Sequence, residues 1–219
     1  TLNMDLDDAA QKLAAARAGK LQAPLNRPID VVGMIPVHVG GHMMDPDAVR
    51  GFAMANGLWV VEDAAHALPA AWRAGPTSPW RRCGEDTAQV TCFSFYANKT
   101  ITTGEGGMAV TDDVKLAERM RCMSLHGLSS DAWGRYEKGG SWDYKIVAPG
   151  YKYNLTDVAA SLGIHQLARA EAMRQDRERL AFSYRDALFD VDEVELPPVD
   201  DNRVHAWHLF PIRLRLDRL

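Results

Sequence analysis

The chain has 219 residues, of which 47% are hydrophobic and 25% charged, and its formal net charge at pH 7 is −4. This composition is typical of a globular protein with one sizeable core, and the acidic balance gives no basic field for nucleic acid or an anionic membrane. No apolar run approaches the roughly 20 residues of a membrane span, and the N-terminus lacks a signal-peptide pattern. The three cysteines lack metal-ligand spacing and favour a reducing compartment. We therefore expect a cytoplasmic protein that binds neither nucleic acid nor membrane, with no metal site.

The first quarter of the chain alternates between helix and strand patterns. Apolar spacing predicts a helix over 5–20, and a nearly continuous apolar run predicts a buried strand over 30–39. Asp45 is placed to cap a second helix over 46–57, which begins with proline. A second buried strand is predicted over 58–61.

The middle of the chain continues this alternation. Further strands are predicted over 87–95 and 108–110, and Asp112 is expected to cap a helix that ends near Leu125. Strands that alternate with helices imply a mostly parallel sheet in an α/β domain.

The last part of the chain has a different pattern. The aromatic and glycine-rich stretch 127–149 predicts a long functional or mobile loop. A long helix is predicted over 156–188, and the run 205–216 is expected to be the first strand of a second, smaller domain. Because the sequence starts and stops within such patterns, we interpret it as part of a longer polypeptide.

Lys99 has the clearest chemical context in the sequence. It follows an alternating apolar run and precedes the glycine-rich run 104–107, so a solvated surface position is not expected. Asp63 and Ser94 also fall at predicted strand ends, which is where ligands bind in parallel α/β sheets. An amine that can bond to an aldehyde, together with a strand-end carboxylate that can pair with a pyridinium nitrogen, is the minimal equipment for pyridoxal phosphate (PLP) chemistry. The simpler alternative for Asp63 is a helix or turn cap.

Six short motifs occur in order along the chain. They are Pro36-Val37-His38, Glu62-Asp63-Ala64-Ala65-His66, Phe93-Ser94-Phe95 followed by Lys99, Gly104-Glu105-Gly106-Gly107, His126-Gly127, and Gly150-Tyr151-Lys152-Tyr153-Asn154-Leu155. Together they resemble the DegT/StrS family of PLP-dependent sugar aminotransferases, and the likeness extends from about residue 30 to 210. The runs 150–157 and 205–210 are similar to the members that make UDP-4-amino-4-deoxy-L-arabinose.

The resemblance implies an α/β fold. The large domain would be a three-layer, aspartate-aminotransferase-like domain (PLP fold type I) with a mostly parallel sheet, followed by the start of a smaller α+β domain. Residues 1–168 would form part of the PLP-binding domain, and residues 169–219 the linking helix and the start of the small domain. Upstream and downstream parts, including the family's phosphate-binding turn, would lie outside this chain.

The resemblance also assigns roles to residues. Lys99 would bind PLP covalently and then transfer protons as base and acid, while Asp63 would keep the pyridine nitrogen protonated. His66 would hydrogen-bond the ring oxygen, and Ser94 would bind the phosphate. The simpler alternatives are a buried histidine satisfied by backbone for His66 and a strand-end hydroxyl cap for Ser94.

A further implication concerns a second subunit. In the family, the segment that corresponds to 150–154 reaches the phosphate of the neighbouring subunit's cofactor, which implies a homodimer. Many members carry an arginine there, whereas this chain offers Lys152 and Asn154, so which of the two meets the anion stays open, as does a purely structural role. His126, His205 and His208 are expected to pack in the interior or line the rim of the substrate site, and His38 lies too far in sequence from a carboxylate pair to indicate a metal.

The function implied is transfer of an amino group from an amino acid, most simply glutamate, to a nucleotide-linked keto-sugar in amino-sugar biosynthesis. The alternative from another class is a non-catalytic protein of the same fold that acts in regulation or assembly. Dehydration of the sugar is disfavoured, because family members of that kind replace the lysine by histidine and Lys99 is intact.

Overall fold

The computed structural model describes residues 2–21, 30–128 and 145–219. Most of the predicted loop 127–149 therefore lies outside the described residues. The elements, in chain order, are α1 (Leu6–Arg17), β1 (Gly33–Met34), α2 (Pro46–Asn56), β2 (Trp59–Asp63), β3 (Ala71–Trp72), β4 (Arg81–Arg82), β5 (Val90–Ser94), β6 (Gly107–Val110), α3 (Val114–Ser124), α4 (Asp157–Ala168), α5 (Ala170–Ala187), β7 (Val194–Glu195), β8 (Arg203–Val204) and β9 (Arg213–Leu214).

The main sheet of the described residues has the strand order β1-β2-β5-β6. The first three strands are parallel, and β6 runs antiparallel to β5. Because β2 and β5 point the same way, with Asp63 opposite Cys92, both strands end at the same edge. The sheet is therefore mixed, with a parallel part that carries Asp63 and Ser94 at its carboxyl edge.

Side-chain caps lie at the starts of the helices as the sequence indicated, except that the cap of α3 lies one residue later than predicted. Asp5 and Asp45 accept hydrogen bonds from the first backbone N–H groups of α1 and α2. The cap of α3 is Asp113, which accepts from the N–H groups of Lys115 and Leu116, and not Asp112 as expected. Its side chain is one residue closer to the groups that need an acceptor.

Three predicted elements differ from the structure. The expected strand 30–39 is reduced to β1 plus an isolated bridge at Val37, because the chain then turns. The expected helix 156–188 is two helices that meet at Arg169, whose ψ of −3° breaks the regular helix.

The expected strand 205–216 is wrong as one element. Only Arg213–Leu214 of this run is a strand, β9, which pairs with β7. The strand β8 ends at Val204, before the run begins, and irregular backbone lies between β8 and β9. In that irregular part, Ala206 and Trp207 are buried. The run is apolar because residues such as Ala206 are buried in a hydrophobic cluster with Trp72, and not because the run is a strand.

Two cores support the sheet. One lies between α1, α2 and the strands β1 and β2, and includes Leu13, Val49 and Val60. The other lies under the carboxyl ends of β2 and β5 and includes Trp72 and Ala206. Within the described residues, no helix is long and apolar enough to cross a membrane.

Candidate functional site

The candidate site is built where β2 and β5 end. Asp63 is the last residue of β2, and Ser94 is the last residue of β5. Both side chains are partly exposed. The Asp63 carboxylate accepts one hydrogen bond, from the N–H of Ala65 at 3.0 Å through Oδ1, and its other oxygen has no hydrogen bond among the described residues. That oxygen is available to a ligand.

A tight turn after β5 carries Lys99. The Lys99 N–H donates to the carbonyl of Tyr96 at 3.0 Å, and the turn returns so that the Thr103 N–H donates to the carbonyl of Phe95 at 3.0 Å. The flanking residues Phe95 and Ile101 are buried, which fixes the turn on the protein. Lys99 is partly exposed, and in the described part of the chain its ammonium makes no hydrogen bond or ion pair.

The glycine-rich run after Lys99 is required by close backbone packing. Gly107 starts β6 opposite Ser94, and a Cβ at Gly107 would lie 2.7 Å from the carbonyl oxygen of Phe93. No side chain fits there without displacing backbone. The motif therefore closes β6 onto β5 directly beside the residues of the site.

His66 lies beside these residues in a defined orientation. Its Nδ1 accepts a hydrogen bond from the N–H of Gly40 at 3.2 Å, so the neutral ring carries its proton on Nε2. Burial and the nearby Lys99 ammonium lower the pKa of His66, while Asp63 acts in the opposite direction. The imidazole is therefore neutral at pH 7 and presents an N–H donor on the side away from Gly40.

His208 joins the site from the far end of the chain. Its ring centroid lies 4.4 Å from that of His66, and its Nδ1 is buried without a hydrogen-bond partner among the described residues. Burial, His66, Lys99 and Arg177 lower the pKa of His208 to about 4. The sequence placed His208 among packing or rim residues, and its contact with His66 was not foreseen, although the run 205–210 had been recognised as a motif.

The structure therefore groups Asp63, His66 and Lys99 with His208, while Ser94 lies at the same sheet edge. The Ser94 hydroxyl accepts a hydrogen bond from the N–H of Tyr96 at 3.3 Å, which leaves its own proton free to donate. His205, by contrast, stacks on the buried Trp207 with ring centroids 4.0 Å apart and serves packing.

Lys152 and Asn154 lie in a different segment of the chain from the grouped residues Asp63, His66, Lys99 and His208. The segment runs along the end of α3, where the Tyr151 N–H donates to the carbonyl of Met123 and the Tyr153 N–H donates to that of Ser124. The Lys152 ammonium donates to the Asn154 side-chain oxygen, and Lys152 is exposed. The two polar residues thus form one pair, in which Lys152 is exposed and Asn154 is half-buried.

A buried polar cluster lies directly beneath the site and was missed by the sequence analysis. His38 and Glu62 are each 1% exposed, and the His38 Nε2 lies 3.4 Å from the Glu62 Oε1. Thr87 and Thr91 donate to Glu62 Oε2 at 2.5 and 2.8 Å. The pairing could not be seen because His38 and Glu62 are distant in sequence and meet only through the parallel strands.

The same cluster contains the buried Cys83, and candidate ligand atoms of His38, Glu62 and Cys83 lie within 4.8 Å of one another. Two observations disfavour a metal. The Met44 N–H donates to the Nδ1 of His38, so the neutral ring holds its proton on Nε2 and has no lone pair towards the cluster. Burial and Glu62 also raise the pKa of the Cys83 thiol well above its usual range, so it stays protonated.

Comparison with known proteins identifies the family. The family model described as the DegT/DnrJ/EryC1/StrS aminotransferase family matches residues 1–218. The chain belongs to this family. The chain is 43% identical over 181 residues to the spore coat polysaccharide biosynthesis protein SpsC of Bacillus subtilis, which covers 83% of this chain and 45% of that protein. The chain thus spans about half the length of the curated relatives it matches.

Solved structures show the same fold. The sugar aminotransferase CalS13 of Micromonospora echinospora aligns with a TM-score of 0.75 at 28% identity, over 100% of this chain and 54% of that one. Spr1654 of Streptococcus pneumoniae in its PMP form aligns with a TM-score of 0.75 at 28% identity, over 99% of this chain and 54% of that one. The prediction of a PLP fold type I, aspartate-aminotransferase-like α/β fold is confirmed. These relatives do not support the narrower likeness to the UDP-4-amino-4-deoxy-L-arabinose type.

The family is PLP-dependent, and the residues of this chain fit that cofactor. Among the described residues, the Lys99 amine has no partner, and one oxygen of the Asp63 carboxylate accepts no hydrogen bond. His66 presents an N–H donor and Ser94 a hydroxyl, both at the same edge. This set matches a ring nitrogen, a ring oxygen, an aldehyde and a phosphate.

Proposed function

We propose that this protein is a PLP-dependent aminotransferase that moves an amino group from an amino acid, with glutamate as donor, to a nucleotide-linked keto-sugar. The observation that carries the proposal is the grouping of Lys99 with Asp63 and His66 at the carboxyl edge of the sheet. Lys99 would bind the cofactor, as would Asp63, His66 and Ser94. When bound, PLP supplies an electron sink for the carbon that loses its proton.

The residues have distinct tasks in this proposal. As a neutral amine, Lys99 Nζ would take the proton from the substrate carbon and deliver it to the cofactor carbon, and the reverse transfer would complete the second half of the reaction. The Lys99 side chain is partly exposed and has no ion-pair partner among the described residues. Asp63 keeps a proton on the ring nitrogen by Coulomb attraction. His66 donates from Nε2 to the ring oxygen, and the Gly40 hydrogen bond to Nδ1 fixes that direction.

The choice of a sugar substrate follows from the relatives. SpsC is named for polysaccharide biosynthesis, and CalS13 is described as a sugar aminotransferase. The nucleotide linkage and the glutamate donor are part of the proposal. The most direct test adds glutamate to the PLP-loaded protein and follows the visible absorbance band of the bound cofactor.

Loss of that band, with formation of 2-oxoglutarate, supports transamination. A protein that binds PLP but does not respond to any amino acid would contradict it and favour the non-catalytic alternative. Lys115→Ala is a suitable control, because Lys115 lies at the start of α3 and away from the site, and it should respond like the parent protein.

We also propose that the functional unit is a homodimer, in which Lys152 or Asn154 binds an anion at the partner's site. The support is that the exposed Lys152 and the half-buried Asn154 are joined in one side-chain pair. Mixing subunits of Lys99→Ala with subunits of Lys152→Ala/Asn154→Ala tests it. A shared site regains activity in the mixture, because one of its two sites is then intact, whereas a self-contained site regains none.

A further inference from the structure

The short 3-10 turn Val39–Gly41 connects the two chain segments that supply the histidines of the candidate site. Gly40 donates its N–H to the Nδ1 of His66. The Gly40 carbonyl accepts from the N–H of Leu209 at 3.1 Å, and the Gly41 carbonyl accepts from the N–H of Ala206 at 3.0 Å. The turn thus holds the ring of His66 and also the backbone on both sides of His208.

The turn has little room to change its shape. Gly40 and Gly41 have φ angles of 69° and 98°, in the left-handed region that favours glycine. A Cβ at Gly41 would lie 2.8 Å from the carbonyl oxygen of His66. Contacts this close mean that the position of the turn decides where His66 lies.

His38, the residue before the turn, attaches it to the interior. Its N–H donates to the carbonyl of Asp63 at 3.1 Å, and its Nδ1 accepts from the N–H of Met44 at 3.2 Å. The ring therefore points its protonated Nε2 at Glu62 Oε1, 3.4 Å away. That distance is long for a hydrogen bond, and Nε2 has no other partner among the described residues, so the ring is held by the Met44 N–H at Nδ1 and by the attraction of Nε2–H to the carboxylate.

Glu62 is suited to act as this anchor. Although burial alone would raise it, the pKa of Glu62 is lowered by His38 and by the hydroxyls of Thr87 and Thr91, so the carboxylate is ionised. Its two carboxylate oxygens have different partners, since Oε2 accepts hydrogen bonds from the threonines and Oε1 faces His38. A fully buried anion with a fixed set of donors resists reorientation.

We propose that the buried His38–Glu62 pair is a positioning unit, which holds the turn Val39–Gly41 in place and thereby orients His66 and His208 in the candidate site. Both side chains are buried, so they would act on the site through the turn. The meaning of this orientation rests on the proposed function, but the physical linkage does not, and it can be measured without cofactor.

The experiment is amide hydrogen exchange of the cofactor-free protein, read at Gly40, Ala206 and Leu209. Glu62→Gln removes the charge and one acceptor oxygen, so the remaining carbonyl oxygen can accept from the threonines or from the Nε2–H of His38, but not on both sides. We expect these three amides to exchange about tenfold faster than in the parent, after correction for any change in global stability.

Val60→Ala is the matched control. Val60 lies on the same strand and the same face as Glu62, is 4% exposed, and belongs to the core under α2 instead of the polar cluster. Its loss loosens the fold without touching the turn. Equal acceleration of the three amides in Val60→Ala and Glu62→Gln, at equal global stability, would overturn the proposal.

Two substitutions of His38 distinguish its contact with Glu62 from its contact with the Met44 N–H. They also test the proposal if Glu62→Gln does not fold. His38→Gln keeps a donor towards Glu62, and we expect it to retain most of the protection. His38→Asn keeps the acceptor for the Met44 N–H but loses the donor, and we expect the acceleration seen in Glu62→Gln. The reverse order would contradict the role of Glu62.

A second readout follows His66 directly by NMR titration of its ring. The Gly40 N–H stabilises the neutral imidazole, so releasing the turn should raise the pKa of His66 towards its ordinary value in Glu62→Gln and His38→Asn. An unchanged pKa in both variants would show that the turn does not depend on the pair. Failure of this proposal would leave the aminotransferase proposal standing, because no step of the test uses PLP or substrate.

Discussion

Glu62 and Asp63 are consecutive acidic residues of β2, and their environments are opposite. Glu62 is 1% exposed and accepts two threonine hydroxyls while it faces His38. Asp63 is partly exposed, and one of its carboxylate oxygens accepts no hydrogen bond from the part of the chain that the structure describes. Alternation along the strand separates them, since successive side chains point to opposite faces.

The difference teaches how one strand end serves two purposes. A carboxylate whose oxygens are both paired with protein groups cannot bind a ligand, but it fixes the surrounding backbone. A carboxylate with an open position costs less to keep near water and can pair with a positive group that arrives later. On this account, activity depends on Asp63 and Lys99, and the precision of the site depends on Glu62.

The largest expected effect is at Lys99. Lys99→Ala and Lys99→Arg should both abolish transamination, because a methyl group cannot bond to the cofactor and a guanidinium does not form that bond. Both variants should unfold at the parent's denaturant concentration, since the Lys99 ammonium makes no hydrogen bond or ion pair with the described residues. The measurements are the glutamate-dependent absorbance change and a urea titration, and retained turnover in Lys99→Arg would refute the assignment.

Asp63→Asn comes next. The amide cannot stabilise a protonated ring nitrogen, so we expect activity to fall by about 10²–10⁴-fold, measured as kcat/KM. Stability should change by less than about 0.5 kcal/mol, as for other partly exposed substitutions. Activity within about threefold of the parent would mean that Asp63 only caps the turn through its contact with Ala65.

Glu62→Gln should mainly lower stability, whereas Asp63→Asn should mainly lower activity. The substitution disturbs a buried set of hydrogen bonds, so the free energy of unfolding should fall by about 1–3 kcal/mol. Glu171→Gln provides the comparison, because Glu171 is a half-exposed partner of Arg82 and Arg174 and should cost under about 1 kcal/mol. If Glu171→Gln destabilised the protein more than Glu62→Gln in urea titrations, the contrast between the closed and the open carboxylate would be lost.

His205 has the smallest effect at pH 7, because its contribution is a pH dependence that appears only in acid. Burial and His42 lower the pKa of His205 to about 3, so unfolding lets the ring take up a proton below its ordinary pKa of 6.5. Stability from this group is therefore present above pH 6.5 and is lost as the pH falls towards 3, by up to about 1.4 kcal/mol per pH unit. His205→Asn keeps an acceptor for the Trp207 N–H and should flatten that slope in urea titrations from pH 7 to 4. An unchanged slope would contradict a buried neutral His205.

Much of the candidate site could be predicted from the sequence, because the positions of its residues depend on their neighbours in the chain. Asp63, Ser94 and Lys99 follow apolar runs directly, so strand ends could be located from the pattern. Gly107 marks a close backbone approach that the glycine-rich run indicated. These features depend on neighbours in the chain.

Features that depend on distant residues were not predictable. The contact between His66 and His208 joins positions 142 residues apart, and it forms because the run after β8 folds back onto the turn Val39–Gly41. The predicted strand 205–216 failed for the same reason, since burial by tertiary packing gives an apolar pattern like that of a strand. The roles of Lys152 and Asn154 need a partner subunit and stay predictions, as does the domain boundary near residue 168.

The central claim is that Lys99 binds the cofactor, and one measurement tests it most directly. The PLP-loaded protein is reduced with borohydride, digested and mapped by mass spectrometry. The account predicts the pyridoxyl mass on the peptide that contains Lys99 and its absence from that peptide in Lys99→Arg. A pyridoxyl group on Lys115 or Lys152, with Lys99 unmodified, would contradict it.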